Sequence, residues 1–178
     1  AKGLFDEKDT SIVIWTTTPW TLPGNTGITV GGDFDYSIVD VGNERYIIAS
    51  ELVDKVMKIA GIEEYKEVQK FKGKEMEGIL CKHPFIDRKS RVVIGSETTV
   101  NVDIVEGTGA VHTAPAYGKE DYLQGLKDNL DMVVCVDAKG HQTEGAGEFA
   151  GLFYAKSNKV IAKWLEDNGY LLKALPLK

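Results

Sequence analysis

The sequence predicts an α+β fold, a β-barrel-like core of short, mostly antiparallel strands decorated by several helices. Three observations carry this. Short β-branched and aromatic runs recur along the chain, each broken by Gly, Pro, Asn or Asp. One pair of runs flanks Gly42-Asn43, the spacing of a two-residue β-hairpin. Helical stripes are few and are inserted between strand runs, as in a sheet covered by helices.

The elements follow in order. Residues 1–10 are polar and read as a lead-in. Residues 11–15, Ser-Ile-Val-Ile-Trp, form a strong strand signal that runs into Thr16, Thr17 and Thr18 and is stopped by Pro19. Residues 20–25 are a turn region, residues 26–30 a strand, and Gly31-Gly32 a second turn. The hairpin strands are residues 36–41 and 44–49. Ser50 is the expected N-cap of a helix whose stripe is Leu52, Val53, Val56, Met57 and Ala60, with Gly61 as its stop. Short strands are expected at residues 65–71, 78–82, 91–94 and 102–105. Residues 87–90 and the lysines at 66, 70, 72 and 74 read as solvated surface, with a phosphate contact as the alternative. A strand at residues 132–136, a Gly-rich surface loop at 141–151 and a helix at 155–168 complete the chain. That last helix is expected to bury Val160, Ile161, Trp164 and Leu165 and to end at Gly169.

Bulk properties narrow the class. The 178 residues suffice for one domain with a substantial core, and 43% hydrophobic with 27% charged content is ordinary for a globular protein. No apolar run reaches membrane-spanning length and no signal-peptide pattern opens the chain, so no membrane partner is expected. The chain starts at Ala1 and is read as one domain, residues 1–178, taken from a larger protein. A net charge of −6 argues against gripping nucleic acid by charge alone. Cys81 and Cys135 stand in no paired motif and read as core thiols of a reducing, cytoplasmic compartment. Cys81 and His83 could be two metal ligands, but nothing nearby completes a tetrahedral set, and no metal is expected. No repeating apolar seam is present, so a monomer is expected.

The chain is organised around residues 106–121, Glu-Gly-Thr-Gly-Ala-Val-His-Thr-Ala-Pro-Ala-Tyr-Gly-Lys-Glu-Asp. A Gly107-Thr108-Gly109 turn leads into a strand at residues 110–113, which Pro115 and Gly118 then break. A helix restarts near Lys119 and runs to about Asn129, with Tyr122, Leu123 and Leu126 on one face. Asp121 therefore falls in the first turn of a helix beside the end of a strand that carries His112. Strand end, loop and helix start together make a common small-molecule site. Each residue also has a structural reading: Asp for the helix macrodipole, His as a strand residue, the glycines for a tight turn.

Residues 15–25, Trp-Thr-Thr-Thr-Pro-Trp-Thr-Leu-Pro-Gly-Asn, taken with residues 107–121 resemble the editing domain inserted into the class I aminoacyl-tRNA synthetases for isoleucine, valine and leucine. The resemblance covers essentially the whole chain, rests on two long motifs in the right order about 90 residues apart, and is nearest to the isoleucine enzymes. His112 carries that choice: the valine enzymes usually place Lys there and the leucine enzymes an apolar residue. Tyr117 stands where His or another aromatic is common, a departure expected to affect only local packing.

The resemblance implies the editing-domain fold and hydrolysis of a mischarged aminoacyl ester, valyl-tRNA(Ile) and with it valyl-adenylate. A hydrophobic pocket gains only about 1–3 kcal/mol from one methylene, a magnitude established for this family and not read from this sequence. A second site that admits valine and rejects isoleucine removes the error. Asp121 is the candidate anchor for the substrate ammonium. His112 is the candidate wall limiting side-chain size, with a base role left open by its ordinary pKa. Thr16, Thr17 and Thr18 offer hydroxyls to the ribose, carbonyl or attacking water; alternate strand residues face opposite ways, which sets Thr16 apart from Thr17. Asn25 is expected at the same pocket, bonding the adenosine or placing the water. Gly109 and Ala110 would line it, and Trp15 would serve as core or wall. The expected catalytic set is Asp121, Thr17, Thr18 and His112. No cofactor is expected for editing, ATP being needed only by the synthetic domain, which this chain lacks. The expected partners are the tRNA(Ile) acceptor end carrying valine and the rest of the parent synthetase. The competing readings are a valine-enzyme editing domain acting on threonyl esters, which His112 opposes, a module that holds the tRNA end without cleaving it, and a purely structural insertion.

Overall fold

The computed structural model describes residues 9–176; of the expected lead-in, residues 1–8 lie outside the described residues. Among the described residues, eight strands and three α-helices follow in chain order: β1 (Asp9–Ile12), β2 (Gly27–Val30), β3 (Asp35–Val41), β4 (Glu44–Ala49), α1 (Val53–Ala60), β5 (Lys66–Lys72), β6 (Leu80–Lys82), β7 (Lys89–Ile94), β8 (Ala110–Thr113), α2 (Lys119–Asp128) and α3 (Tyr154–Asp167).

The strands form two four-stranded mixed sheets, ordered β1-β4-β3-β5 and β6-β7-β2-β8. No closed barrel forms among the described residues, which corrects the barrel-like expectation. The strand pairs are antiparallel except β1 with β4 and β2 with β7, which are parallel. The hairpin of β3 and β4 turns at Gly42-Asn43 in the register expected, Val41 opposite Glu44. Gly42 has a φ of 69° while Asn43 does not enter the left-handed region, so glycine occupies the loop position that needs it.

The two sheets share one core. Ile28 and Val30 of β2, Val92 of β7 and Ala110 of β8 pack with Tyr36, Ile38, Val39, Ile47 and Ile48 of the other sheet, and with the α1 face Val53, Val56 and Met57. α1 ends at Gly61 with a φ of 72°, as its sequence requires. Ser50 does not cap it. Residues 50–52 form a 3-10 turn instead, and the Ser50 hydroxyl meets Ser37 Oγ at 2.7 Å.

The first strand signal divides between the sheets. β1 pairs with β4, then the chain leaves that sheet and Trp15 forms an isolated parallel bridge with Val111 of β8. Backbone N–H of Ala49 donates to Thr108 O at 2.9 Å, and Thr108 Oγ1 donates to Val13 O at 2.5 Å. These bonds fix the Gly107-Thr108-Gly109 turn at the seam between the sheets.

Two expected strands do not form. Residues 102–105 are a loop in which Asp103 Oδ1 accepts the N–H groups of Val105 and Glu106, a local bond that competes with strand pairing. Residues 132–136 run without a ladder, and the N–H groups of Cys135 and Val136 donate to the Tyr117 hydroxyl at 2.7 and 2.9 Å. α2 packs on its polar side: Gln124 and Gly125 are buried, while Tyr122 and Leu126 are exposed. Gln124 Nε2 donates to Ile94 O at 2.9 Å and its Oε1 accepts Val100 N–H at 3.3 Å, so its burial is satisfied.

Residues 141–151 are not a surface loop. Ala146 and Phe149 within them join Leu22, Ile161 and Leu165 in a second apolar cluster under α3, against which Trp164 packs and from which Val160 points away, 43% exposed. Nor is the charged run at 87–90 simply wet. Arg88 is half-buried and donates to Pro23 O at 2.7 Å and Asn25 O at 3.0 Å, and Ser90 is buried.

Candidate functional site

An open cleft of about 380 Å³ lies where β8, the turn before it, the start of α2 and residues 15–21 converge. Trp15, Thr16, Thr17, Thr18, Gly109, Ala110, His112 and Asp121 all line it, so two motifs distant in sequence meet at one place. Thr21, Tyr117 and the loop residues Asn101, Asp103 and Glu106 also line it.

The turn at Gly109 can hold only glycine. Its φ is 81°, and a Cβ there would stand 2.4 Å from the Ala49 Cβ. The buried Tyr36 hydroxyl donates to Gly109 O at 2.5 Å and accepts the Gly31 N–H at 2.9 Å. β8 then carries His112 opposite Ile28 of β2.

His112 is 8% exposed, a wall with one edge showing. Its Nε2 lies 2.8 Å from Thr21 Oγ1 and its Nδ1 lies 2.6 Å from Asn25 Nδ2. Burial pulls its pKa down to about 4, and nearby His83 acts in the same sense. The imidazole is therefore neutral at neutral pH.

Asp121 sits in the first turn of α2, as its spacing predicts. Its Oδ2 accepts the Ala114 N–H at 2.9 Å, which closes the loop between β8 and α2. Burial raises its pKa above the ordinary carboxylate range, and the Ala114 bond partly offsets this. Among the described residues no cation forms an ion pair with it.

The threonines form a hydroxyl rim. Thr16 Oγ1 accepts the Thr18 N–H at 3.1 Å and lies 3.5 Å from Thr18 Oγ1. Thr17 and Thr18 are exposed at the cleft. Pro19 starts a 3-10 turn, Pro19–Gly24, whose first carbonyl, Thr18 O, accepts both the N–H and the hydroxyl of Thr21 at 3.0 Å. Trp15 lines the mouth and is 55% exposed, so it is wall and not core.

Asn25 is placed differently from the expectation. It does not line the cleft but lies behind His112, 7% exposed. Its amide is committed to His112, to Gly27 O at 3.0 Å and to Ser90 Oγ. His83, the other half of the possible metal pair, donates Nε2–H to Leu22 O at 2.8 Å and accepts the N–H groups of Phe85 and Ile86 at Nδ1, so both ring nitrogens serve the backbone.

Sequence reasoning missed Thr21 and the loop residues Asn101 and Asp103, and it gave Tyr117 a role in local packing alone, whereas Tyr117 also lines the cleft. Thr21 had a usable signal, since it stands three residues after Thr18 in a proline-initiated turn. The loop had none, because Val102, Ile104 and Val105 imitate a strand.

No family model matches the chain. Curated relatives do. The chain is 53% identical over 176 residues to an isoleucine–tRNA ligase of Caldicellulosiruptor bescii, with 96% of the chain and 19% of that enzyme covered. It is 47% identical over 171 residues to that of Petrotoga mobilis, with 96% and 18% covered. It thus spans about a fifth of the length of the relatives it matches, 19% in the first case. Among solved structures, GlLeuRS-CP1 matches with a TM-score of 0.76 at 15% identity, covering 97% of this chain and 87% of that one. The editing domain of the P. knowlesi cytosolic leucyl-tRNA synthetase matches with a TM-score of 0.69 at 12% identity, covering 92% and 84%. By sequence the chain is homologous to a segment of the isoleucine–tRNA ligases, and its fold is like that of the leucyl-tRNA synthetase CP1 and editing-domain structures.

Proposed function

We propose that the cleft hydrolyses the ester bond of misacylated tRNA(Ile) carrying valine, and acts likewise on valyl-adenylate, as the proofreading part of an isoleucine–tRNA ligase. The observation that carries this reading is the half-buried Asp121 carboxylate, without an ion-pair partner among the described residues, facing the same cleft as His112 and the threonine rim.

An α-ammonium docked on Asp121 supplies the missing counter-charge and offsets the burial that raises its pKa. Held there, the amino acid presents its side chain to the neutral His112 wall and its ester to the hydroxyls of Thr16, Thr17 and Thr18. Water is the nucleophile. It adds to the ester carbonyl, the bond to the ribose oxygen breaks, and valine and free tRNA leave. Catalysis comes mainly from positioning, needs no cofactor, and is assisted by the ribose hydroxyl next to the ester. Unchanged cleavage of a substrate ending in deoxyadenosine at that hydroxyl removes the last element.

The partners under this reading are the acceptor end of tRNA(Ile) and the remainder of the synthetase, with the domain itself acting as a monomer in the cytoplasm. The acidic composition, net charge −6, agrees with tRNA being delivered by other parts of that enzyme. The test is cleavage of valyl-tRNA(Ile) and isoleucyl-tRNA(Ile) by the wild type and by His112→Ala. The wild type is expected to cleave the valyl ester and spare the isoleucyl ester, and the variant to admit both. Equal wild-type cleavage of the two esters overturns the reading.

A further inference from the structure

The hydrogen bonds around His112 assign its proton positions. Gly27 O can only accept, so the Asn25 group 3.0 Å from it is the amide NH₂. The same nitrogen, 2.6 Å from His112 Nδ1, then donates its second hydrogen there. Nδ1 is an acceptor, and the neutral ring carries its hydrogen on Nε2. On the other side, Thr21 gives its single hydroxyl hydrogen to Thr18 O at 3.0 Å, which leaves it free to accept from Nε2 at 2.8 Å. The Asn25 side requires this tautomer, and the Thr21 side agrees with it.

The residues behind this pair are themselves immobilised. Ser90 Oγ donates to Asn25 Oδ1, and Arg88 Nη1 donates to the carbonyls of Pro23 and Asn25. β2 continues directly from Asn25 and Thr26 and pairs with β8 through Gly27–Thr113 and Ile28–His112. The chain Ser90–Asn25–His112–Thr21–Thr18 O therefore runs unbroken from behind the cleft to its threonine rim, with every donor and acceptor oriented one way.

We infer that Asn25 and Thr21 are positioning residues that lock the His112 imidazole as a neutral Nε2–H tautomer with both nitrogens occupied, making it a rigid size gauge and not a proton acceptor. This rests on the editing reading for its consequence, though not for its geometry. A ring held at both nitrogens cannot rotate to enlarge the cleft, and it has no lone pair left for the attacking water. The low pKa caused by burial agrees with this neutral state. Asn25 acts through His112 and does not touch the substrate.

The test combines spectroscopy and selectivity. The chain has three histidines, so [15N]histidine labelling yields three ring systems in a long-range 1H–15N spectrum. His112 is expected to show a protonated Nε2 and an unprotonated Nδ1 in the wild type and in Thr21→Ser. Thr21→Val and Asn25→Ala should disturb that signature. They should also reduce the preference for valyl-tRNA(Ile) over isoleucyl-tRNA(Ile) about tenfold, the equivalent of one hydrogen bond of ~1.4 kcal/mol, with Thr21→Ser keeping it. A wild-type His112 protonated at Nδ1 overturns the inference. So does undiminished selectivity in a folded Thr21→Val. A wild type with the expected tautomer but no cleavage of the valyl ester, even within the synthetase that contains it, overturns the editing reading and leaves the locked ring standing.

Discussion

The Asp121 carboxylate accepts the Ala114 N–H at 2.9 Å, so one residue both fastens the end of β8 to the start of α2 and brings a negative charge to the cleft. These two roles separate by substitution. Asp121→Asn keeps an oxygen acceptor for Ala114 and removes the charge, whereas Asp121→Ala removes both. The amide variant is expected to unfold within about 0.5 kcal/mol of the wild type at neutral pH, and the alanine variant to lose about 1 kcal/mol more, in urea titrations.

The pH dependence of His112 follows from its depressed pKa. In the unfolded chain the imidazole takes up a proton below about 6.5, while in the folded protein it does so only near 4. The unfolded state binds more protons between these values, so the contribution to stability is fully present above pH 6.5 and is lost as pH falls through 4. Its full size is about 3 kcal/mol, from 1.36 kcal/mol per pKa unit. A site-resolved NMR titration is expected to show His112 neutral at pH 5, and protonation at that pH contradicts the buried, doubly bonded ring.

Asp121 has the opposite sign. Its raised folded pKa means that the folded state holds the proton more tightly than the unfolded chain, so its contribution is most favourable below the ordinary carboxylate pKa and is lost as pH rises through the raised value. Asp121→Asn should therefore gain stability relative to the wild type on going from acid to neutral pH. Parallel unfolding curves at the two pH values check it.

Gly109→Ala confronts both a φ of 81° and an Ala49 Cβ at 2.4 Å. A loss of roughly 2–4 kcal/mol is expected from left-handed strain plus overpacking. Because Tyr36 fixes the same turn through Gly109 O, thermal unfolding of Tyr36→Phe should shift in the same direction by a smaller amount.

Tyr117→Phe leaves the ring against Trp20, 5.1 Å between centroids, but deprives Cys135 and Val136 of their acceptor. Two unpaired N–H groups are expected to cost about 1–3 kcal/mol, and amide exchange should accelerate at residues 135 and 136 before it does in β8.

The sequence was most informative where local chemistry and tertiary need coincide. The hairpin at Gly42-Asn43, the stop at Gly61 and the strand Ala110–Thr113 agree with expectation because each is set by residues adjacent to it. The convergence on a candidate cleft was legible for a different reason: both motifs reach one cleft, and all the expected residues except Asn25 line it. What was not legible depends on distant partners. Parallel pairing of β1 with β4 and of β2 with β7 leaves no local trace. Residues 132–136 have strand composition, yet the Tyr117 hydroxyl takes the amides that a ladder would need. Tyr122 and Leu126 suggest a buried helix face, but α2 turns Gly125 toward Pro115, where an added Cβ would stand 2.9 Å away, and leaves them exposed. Arg88 looks like surface charge until the carbonyls of Pro23 and Asn25 are seen to face it.

The most direct test of the account is deacylation of valyl-tRNA(Ile) by the wild type and by Asp121→Asn, in this chain and in the synthetase that contains it. A loss of at least about a hundredfold in kcat/KM, with the fold retained, is the result predicted for a charge that anchors the substrate ammonium. Equal cleavage by the two proteins contradicts it and would leave Asp121 with no task beyond holding Ala114.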